Sequence, residues 1–460
     1  MEAMLMNKIE SSLSGAKVLV VGLGESGYST VCYLASMGCE VRVIDSRDLP
    51  PRLTALRQTH PQAEVQTGSF GSHWFTEADL LVVSPGISIE IPEIQQARST
   101  GVEVVGDVEL FVRVAQAPIL GITGSNGKST VTAMVGEMAT DAGLDVAVGG
   151  NIGVPVLDLL RHPEPDLYVL ELSSFQLETT NSLETRASAL LNISQDHMDR
   201  YPDLAAYGRA KMRIMDGAGF QVFCRDDNQI QRLFAGDNLF DRSRCLSFGS
   251  SEPDGEREYG LRTIDQETWI FRGSEPVVET SGIKLNGRHN LLNVMAAIAL
   301  AEVGGIPRQS IIAGAQRFKG LPHRCELVGS WGDIEWVNDS KATNVGATVA
   351  SLEGMEAPVI LIAGGKGKEA DFSLLRQPII EKAKAVVVIG EDGPLIGTLV
   401  ADEIPVVEAS SMDEAVALAG QWAQAGDRVL LAPACASFDQ FRDFQARGNA
   451  FTSAVLRFNK

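Results

Sequence analysis

Residues 118–130 read Pro118-Ile119-Leu120-Gly121-Ile122-Thr123-Gly124-Ser125-Asn126-Gly127-Lys128-Ser129-Thr130. The opening run is short and apolar, as in a buried parallel strand, and residues 128–142 carry a helical pattern. Strand, glycine loop and helix in that order make a phosphate cradle. Glycines let backbone N–H groups turn inward, and the helix N-terminus adds the positive end of its dipole. Lys128 then reaches the outer phosphates of ATP, and the Ser129 hydroxyl is suited to Mg2+. The usual pattern has a glycine five residues before Gly127, where this chain has Ile122; glycines stand at 121 and 124 instead. A plain strand-to-helix turn with a solvated lysine is the alternative, and the intact Gly-Lys-Ser-Thr run argues against it.

The same alternation extends in both directions. Upstream, strands are expected at 17–21, 40–45 and 80–83, with a helix over 26–37. The series breaks near Gly106 and restarts at Pro118. Downstream, 189–193 reads as a strand and 204–215 as a helix, and short alternating runs between 222 and 287 predict an antiparallel appendage. Helical periodicity returns over 290–303 and is broken by Gly320-Leu321-Pro322-His323-Arg324, since Pro322 disfavours helix at the residue before it. Strands at 359–363, 385–389, 405–407 and 428–431 follow, then a closing helix over 438–458. The expectation is an α/β chain of three domains, 1–106, 107–320 and 321–460. The first is Rossmann-like, the second a P-loop ATPase-type domain with a small antiparallel sheet, and the third again Rossmann-like.

Composition narrows the function classes. With 460 residues, 45% of them apolar and 21% charged, the chain is an ordinary globular protein with room for several cores. A formal net charge of −20 supplies no diffuse positive field for nucleic acid or an anionic membrane. The longest apolar runs are far shorter than the roughly 20 residues of a membrane span, and residues 1–10 lack the basic flank and apolar stretch of a secretory signal. A cytoplasmic location and reduced, mostly buried cysteines are expected, since positions 32, 39, 224, 245, 325 and 435 form no CxxC pair.

A second glycine cluster, Gly22-Leu23-Gly24-Glu25-Ser26-Gly27, follows the first strand, with Asp45 near the end of the next. Alone it proposes a dinucleotide site and an NAD-dependent oxidoreductase; it also fits any nucleoside diphosphate at a helix N-terminus, or a turn with no ligand. Ser84-Pro85-Gly86-Ile87 adds a glycine turn at the same sheet edge. In the middle of the chain, Glu171 stands within an apolar strand, where a charge must be paired, metal-bound or neutralised. Mg2+ beside the nucleotide is the economical answer. Asp196, His197, Asp199 and Arg200 follow another apolar run, and Lys211 lies in a helix where a solvated surface lysine is the bland reading.

Taken together, 123–130, Gly150-Asn151-Ile152-Gly153, 170–179, 196–201, 320–324, 338–344 and 433–440 resemble the Mur ligase superfamily, and within it the branch that adds D-glutamate. The resemblance covers essentially the whole chain. It implies an ATP-dependent amide ligase of peptidoglycan synthesis that acts through an acyl-phosphate and a tetrahedral intermediate, with UDP-N-acetylmuramoyl-L-alanine and D-glutamate as partners and two Mg2+ ions as cofactors. It implies a monomer and no nucleic-acid or membrane partner. By carry-over, Ser129, Glu171, His197 and a carbamylated Lys211 hold the metals, and Lys128, Asn151, His197 and Lys211 are catalytic. Gly124, Ser125, Asn126, Gly127, Lys128, Ser129, Thr130, Asn290, Asn293, Arg324, Asp339 and Lys341 face ATP. Ser26, Ser46, Arg47, Ser84, Gly86, Asn151 and Ser173 face the UDP substrate. Thr343, Lys368, Ser437 and Phe444 face D-glutamate; Lys366 and Lys368 share one glycine turn, and which of them meets the side-chain carboxylate stays open. The alternatives are a superfamily ligase for another amino acid, a folylpolyglutamate synthase-like enzyme, an NAD-dependent oxidoreductase, which explains only Gly22 to Asp45, and a phosphate-loop switch protein, which explains only Gly124 to Thr130.

Overall fold

A computed structural model describes residues 13–71, 73–235, 243–285, 287–356, 358–367 and 370–459. The N-terminal stretch read against a signal peptide and Lys368 lie outside these residues. The first sheet has five parallel strands, β1 (Lys17–Val21), β2 (Glu40–Asp45), β3 (Glu64–Thr67), β4 (Leu80–Val83) and β5 (Glu103–Val105), in the order β3-β2-β1-β4-β5. β1 and β4 occupy the middle as nearly unbroken apolar runs, because helices cover both faces of a parallel sheet. The order reverses between them. Both glycine turns, after Val21 and after Val83, therefore sit where ligands of open sheets bind.

The second sheet contains β6 (Ile119–Thr123), β7 (Val146–Gly150), β8 (Leu167–Glu171), β9 (Thr185–Leu190), β10 (Ala218–Cys224), β11 (Cys245–Phe248), β12 (Glu258–Ile264), β13 (Glu267–Arg272) and β14 (Glu275–Glu279). Its nine strands run β14-β13-β12-β11-β10-β9-β6-β8-β7. The expected antiparallel appendage is a meander of β12 to β14, but it does not stand apart: β12 pairs parallel with β11 and extends the main sheet. The meander thereby covers an edge that would otherwise expose unpaired backbone groups. The third sheet, β15 (Glu326–Trp331), β16 (Ile334–Asn338), β17 (Val359–Gly364), β18 (Ala383–Ile389), β19 (Val406–Glu408) and β20 (Arg428–Leu431), runs β15-β16-β20-β17-β18-β19. β15 is antiparallel to β16, and the remaining pairs are parallel.

One apolar cluster runs through the first two sheets, joining residues such as Val20, Val105, Leu120 and Val169. Two others fill opposite faces of the third sheet, Leu361, Val386 and Leu430 on one side and Ile360, Ile362 and Val387 on the other. The third unit thus carries its own core. Local expectations shift by a residue or two in several elements and by more in three. The strand expected at 189–193 is Thr185–Leu190, the helix at 204–215 ends at Met212 in a tighter turn, and the closing helix starts at Phe444 rather than 438. Asp443 decides the last, its carboxylate accepting the Ala446 N–H at 2.6 Å as an N-cap. All six cysteines are free thiols; Cys224 and Cys435 are buried and the other four are half-buried, less enclosed than expected. No helix among the described residues is long and apolar enough to cross a membrane.

Candidate active site at the phosphate loop

The phosphate loop leaves β6 and is held from beneath by the segment after β9. Ser125 N–H donates to the Asn192 carbonyl at 2.9 Å and Asn126 N–H to Asn192 Oδ1 at 2.8 Å. Gly127 has φ 84°, and a Cβ there would lie 2.3 Å from Asn293 Oδ1, so only glycine fits. Lys128 folds back, donating to the carbonyls of Gly124 at 2.8 Å and Ser125 at 3.0 Å. Burial lowers its pKa, against the pull of Glu171 and Asp196. The Ser129 hydroxyl accepts from Arg324 Nη2 of the third unit at 2.6 Å.

Glu171 ends β8 and is 2% exposed. Its Oε1 accepts from Asn151 Nδ2 at 2.8 Å, while its Oε2 is buried with no hydrogen-bond partner. Burial raises this carboxyl, but Lys128, Ser129, Asn151 and Arg324 outweigh that and hold its pKa below the ordinary value. An ionised, buried oxygen with an open valence beside Ser129 is what a divalent cation needs. Among the described residues no three His, Cys, Asp or Glu side chains cluster as a metal site. Any ion here is therefore completed by other donors, such as phosphate oxygens.

Lys211 is not the surface lysine of the bland reading. It is 1% exposed, donates to the Gly124 carbonyl at 2.8 Å, and lies 4.5 Å over the Tyr207 ring. Burial and the nearby Lys128 charge pull its pKa well below the ordinary lysine value. His197 has φ 57°, an uncommon backbone setting for a non-glycine residue, with its ring edge-on to Phe175 at 4.8 Å and Nε2 3.7 Å from Asp196 Oδ2. Lys341 sits 4.4 Å over the Phe444 ring, its pKa lowered to about 8 by burial and by Arg324 and Lys128.

Three cavities gather most of the expected residues. The first, about 370 Å³, brings together Ser125, Lys128, Ser129, Asn151, Glu171, Ser173, His197, Lys211, Arg324, Lys341, Thr343, Ser437 and Phe444. A neighbour of about 330 Å³ is lined by Asn126, Gly127, Thr130, Asn290, Asn293 and Asp339, and shares Arg324 and Lys341 with it. A third, about 590 Å³, lies between the first two units and takes in Ser26, Ser46, Arg47, Ser84, Gly86 and again Asn151. Gly124 lines none of them; its carbonyl is the anchor for both lysines. Asp45 is fully engaged, accepting from the Leu23 N–H at 2.7 Å and from Arg47 through both oxygens. It is 1% exposed and organises the glycine turn instead of offering a free carboxylate to a ribose, which removes the main support for a dinucleotide site. Sequence reasoning passed over Tyr207, which closes on Lys211, and Asn344, which bonds to Asn126 and Asp196. A helical pattern opening at Val345 marks Asn344 only as a cap.

Fold and site together define a phosphate-loop enzyme in which the phosphate cradle faces cavities shared with two further α/β units. Residues 16–106 match the N-terminal domain of MurD-like Mur ligases, 122–301 the Mur ligase middle domain, and 323–435 the Mur ligase glutamate ligase domain. The chain belongs to the Mur ligase family and is an ATP-dependent amide-forming ligase. It is 49% identical over 454 residues to a UDP-N-acetylmuramoylalanine--D-glutamate ligase of Nitrosococcus oceani, covering 98% of this chain and 99% of the relative. A protein of the same name from Marinobacter nauticus is 48% identical over 446 residues, covering 96% and 98%. A solved pseudomurein peptide ligase type C from Methanothermus fervidus shares the fold, with a TM-score of 0.63 at 16% identity over 96% of this chain and 100% of that one.

Proposed function

We propose that this chain joins D-glutamate to UDP-N-acetylmuramoyl-L-alanine at the expense of ATP, in peptidoglycan synthesis. The names of its near-full-length relatives support the substrates. The observation that carries the reading is the Glu171 oxygen without a partner, in a cavity that also holds Lys128, Ser129 and the third unit's Lys341, Thr343 and Ser437. A carboxylate oxygen of the alanyl group attacks the γ-phosphorus, an acyl-phosphate forms and ADP leaves. The unprotonated amine of D-glutamate then attacks the acyl carbon, one nitrogen proton passes to solvent or the departing phosphate, and the tetrahedral intermediate collapses to the amide with loss of phosphate.

Two Mg2+ ions supply the screening that lets one anion attack another. Ser129 and Glu171 would hold one ion on the nucleotide side, and His197 and Lys211 the other on the acceptor side. Lys211 serves as a carbamate: in its unprotonated form the amine adds to the carbon of CO2, forming an N–C bond and releasing a proton. Lys128 stabilises charge on the transferred phosphoryl group. Arg324 exchanges its bond to Ser129 for the phosphates, with Asp339, Lys341, Asn290 and Asn293 completing the ATP site. Asn151, touching both the first and third cavities, orients the acceptor. Ser173 borders it, and Ser26, Ser46, Arg47, Ser84 and Gly86 take the uridine diphosphate. Thr343, Ser437 and Phe444, with Lys368, hold D-glutamate.

Closure of the third unit over the second excludes water from the acyl-phosphate. The chain acts in this reading as a monomer in the cytoplasm, where ATP is available. The test is phosphate release with the UDP-muramoyl-alanine acceptor and each of several amino acids. D-glutamate is expected to support turnover; activity with L-glutamate or a diamino acid and none with D-glutamate overturns the assignment.

A further inference from the structure

The third unit has its own apolar clusters and meets the phosphate loop through polar groups. Asn344 stands at that joint, 6% exposed. Its Oδ1 accepts the Ala347 N–H at 2.8 Å, capping the helix Val345–Glu353. Its Nδ2 donates to Asn126 Oδ1 and to Asp196 Oδ2, each at 3.2 Å, and Asn126 Nδ2 returns a bond to Asn344 Oδ1 at 3.4 Å. Asn126 is itself fixed to the body of the second unit, its carbonyl accepting from Asn192 Nδ2 at 3.0 Å.

Two residues beyond Asn344, a Cβ on Gly346 would lie 2.8 Å from the Ser194 hydroxyl. Gly346 is helical, so alanine suits its backbone. What glycine provides here is close approach between the two units.

We propose that Asn344 is a positioning residue that registers the third unit against the phosphate loop, so that the loop's γ-phosphate and the amine bound near Thr343 meet in one geometry. The chemistry explains the residue. A cap needs an acceptor, and Asn126 Oδ1 and the Asp196 carboxylate need a donor; only an amide of this length offers both. Aspartate caps equally well but would face Asp196 with like charge, and serine caps but is too short to span the joint. This inference rests on the reaction proposed above, with phosphoryl transfer at the loop and the amine arriving from the third unit.

Three variants test it: Asn344→Ser and Asn344→Asp, which keep the cap, and Gly346→Ala, which favours the helix but wedges the joint. Small-angle scattering of each with a non-hydrolysable ATP analogue bound needs no turnover, and the expected result is a larger radius of gyration than for the wild type. In turnover, kcat is expected to fall about tenfold or more, with the KM for ATP within about threefold and Asn344→Asp the most affected. Variants as compact as the wild type overturn the proposal whatever their turnover, and so does a loosened joint with unchanged kcat. If the wild type shows no D-glutamate-dependent turnover, the reaction reading fails, and the scattering comparison still decides whether Asn344 and Gly346 hold the joint.

Discussion

Two buried titratable groups give opposite signs of prediction. Lys211 is enclosed, with its pKa pulled well below the ordinary lysine value, and the reaction proposed above uses it as a carbamate that holds a metal. Lys211→Ala is expected to lose at least about a hundredfold in kcat, on the scale of removing a group that stabilises transition-state charge. Added acetate or formate should restore part of it; unchanged activity would return Lys211 to a packing role. Asp107, 3% exposed at the start of the helix Asp107–Val112, is different. Burial pushes its carboxyl from 3.8 up to about 6, and its Oδ2 has no hydrogen-bond partner. The folded state therefore holds a proton that the unfolded state releases between these values, and stability falls as pH rises through that window. Asp107→Asn mimics the protonated form and is expected to stabilise by roughly 2 to 3 kcal/mol above pH ~7 and by almost nothing near pH ~3. Denaturant melts at the two pH values check this, and a gain independent of pH would contradict it.

At the scale of elements, the loop between β6 and its helix depends on Gly127. An alanine there must accept φ 84° and a contact of 2.3 Å with Asn293 Oδ1, so Gly127→Ala is expected to cost roughly 2 to 4 kcal/mol of stability. It should also raise the KM for ATP, measurable beside a thermal melt; a variant with normal melting and normal ATP affinity would contradict this account of the loop. Elements of this kind were the most legible in the sequence. β1, β4 and β20 fall on the expected residues because parallel strands buried on both faces read as nearly unbroken apolar runs, and β2 falls on its expected residues through Val41, Val43 and Ile44 although charged residues interrupt it. The closing helix was misplaced at its start because Asp443 caps it from within a stretch that otherwise looks helical. The meander was legible as antiparallel strands, but its attachment to β11 was not, since that pairing depends on an edge formed by distant parts of the chain. Lys211 could be separated from a surface lysine only by resemblance, because burial depends on residues such as Gly124, far away in sequence. Asn344 and Asn126 stand 218 residues apart, and no local pattern announces their pairing.

Across the whole molecule, three sheets place three cavities side by side, with Asn151 shared between the cavity of the first two units and the one at the phosphate loop, and Arg324 and Lys341 shared between that one and its neighbour. That arrangement suits a reaction in which one phosphoryl group is handed from a nucleotide to an acceptor and then displaced. A carboxylate activated as an acyl-phosphate gives up one oxygen to the phosphate that leaves. An acceptor labelled with oxygen-18 in its alanyl carboxylate therefore tests the central claim directly, by mass spectrometry of the phosphate released in the presence of ATP and D-glutamate. The account predicts that each phosphate released carries one labelled oxygen taken from the carboxylate, whereas unlabelled phosphate formed alongside amide product would contradict it.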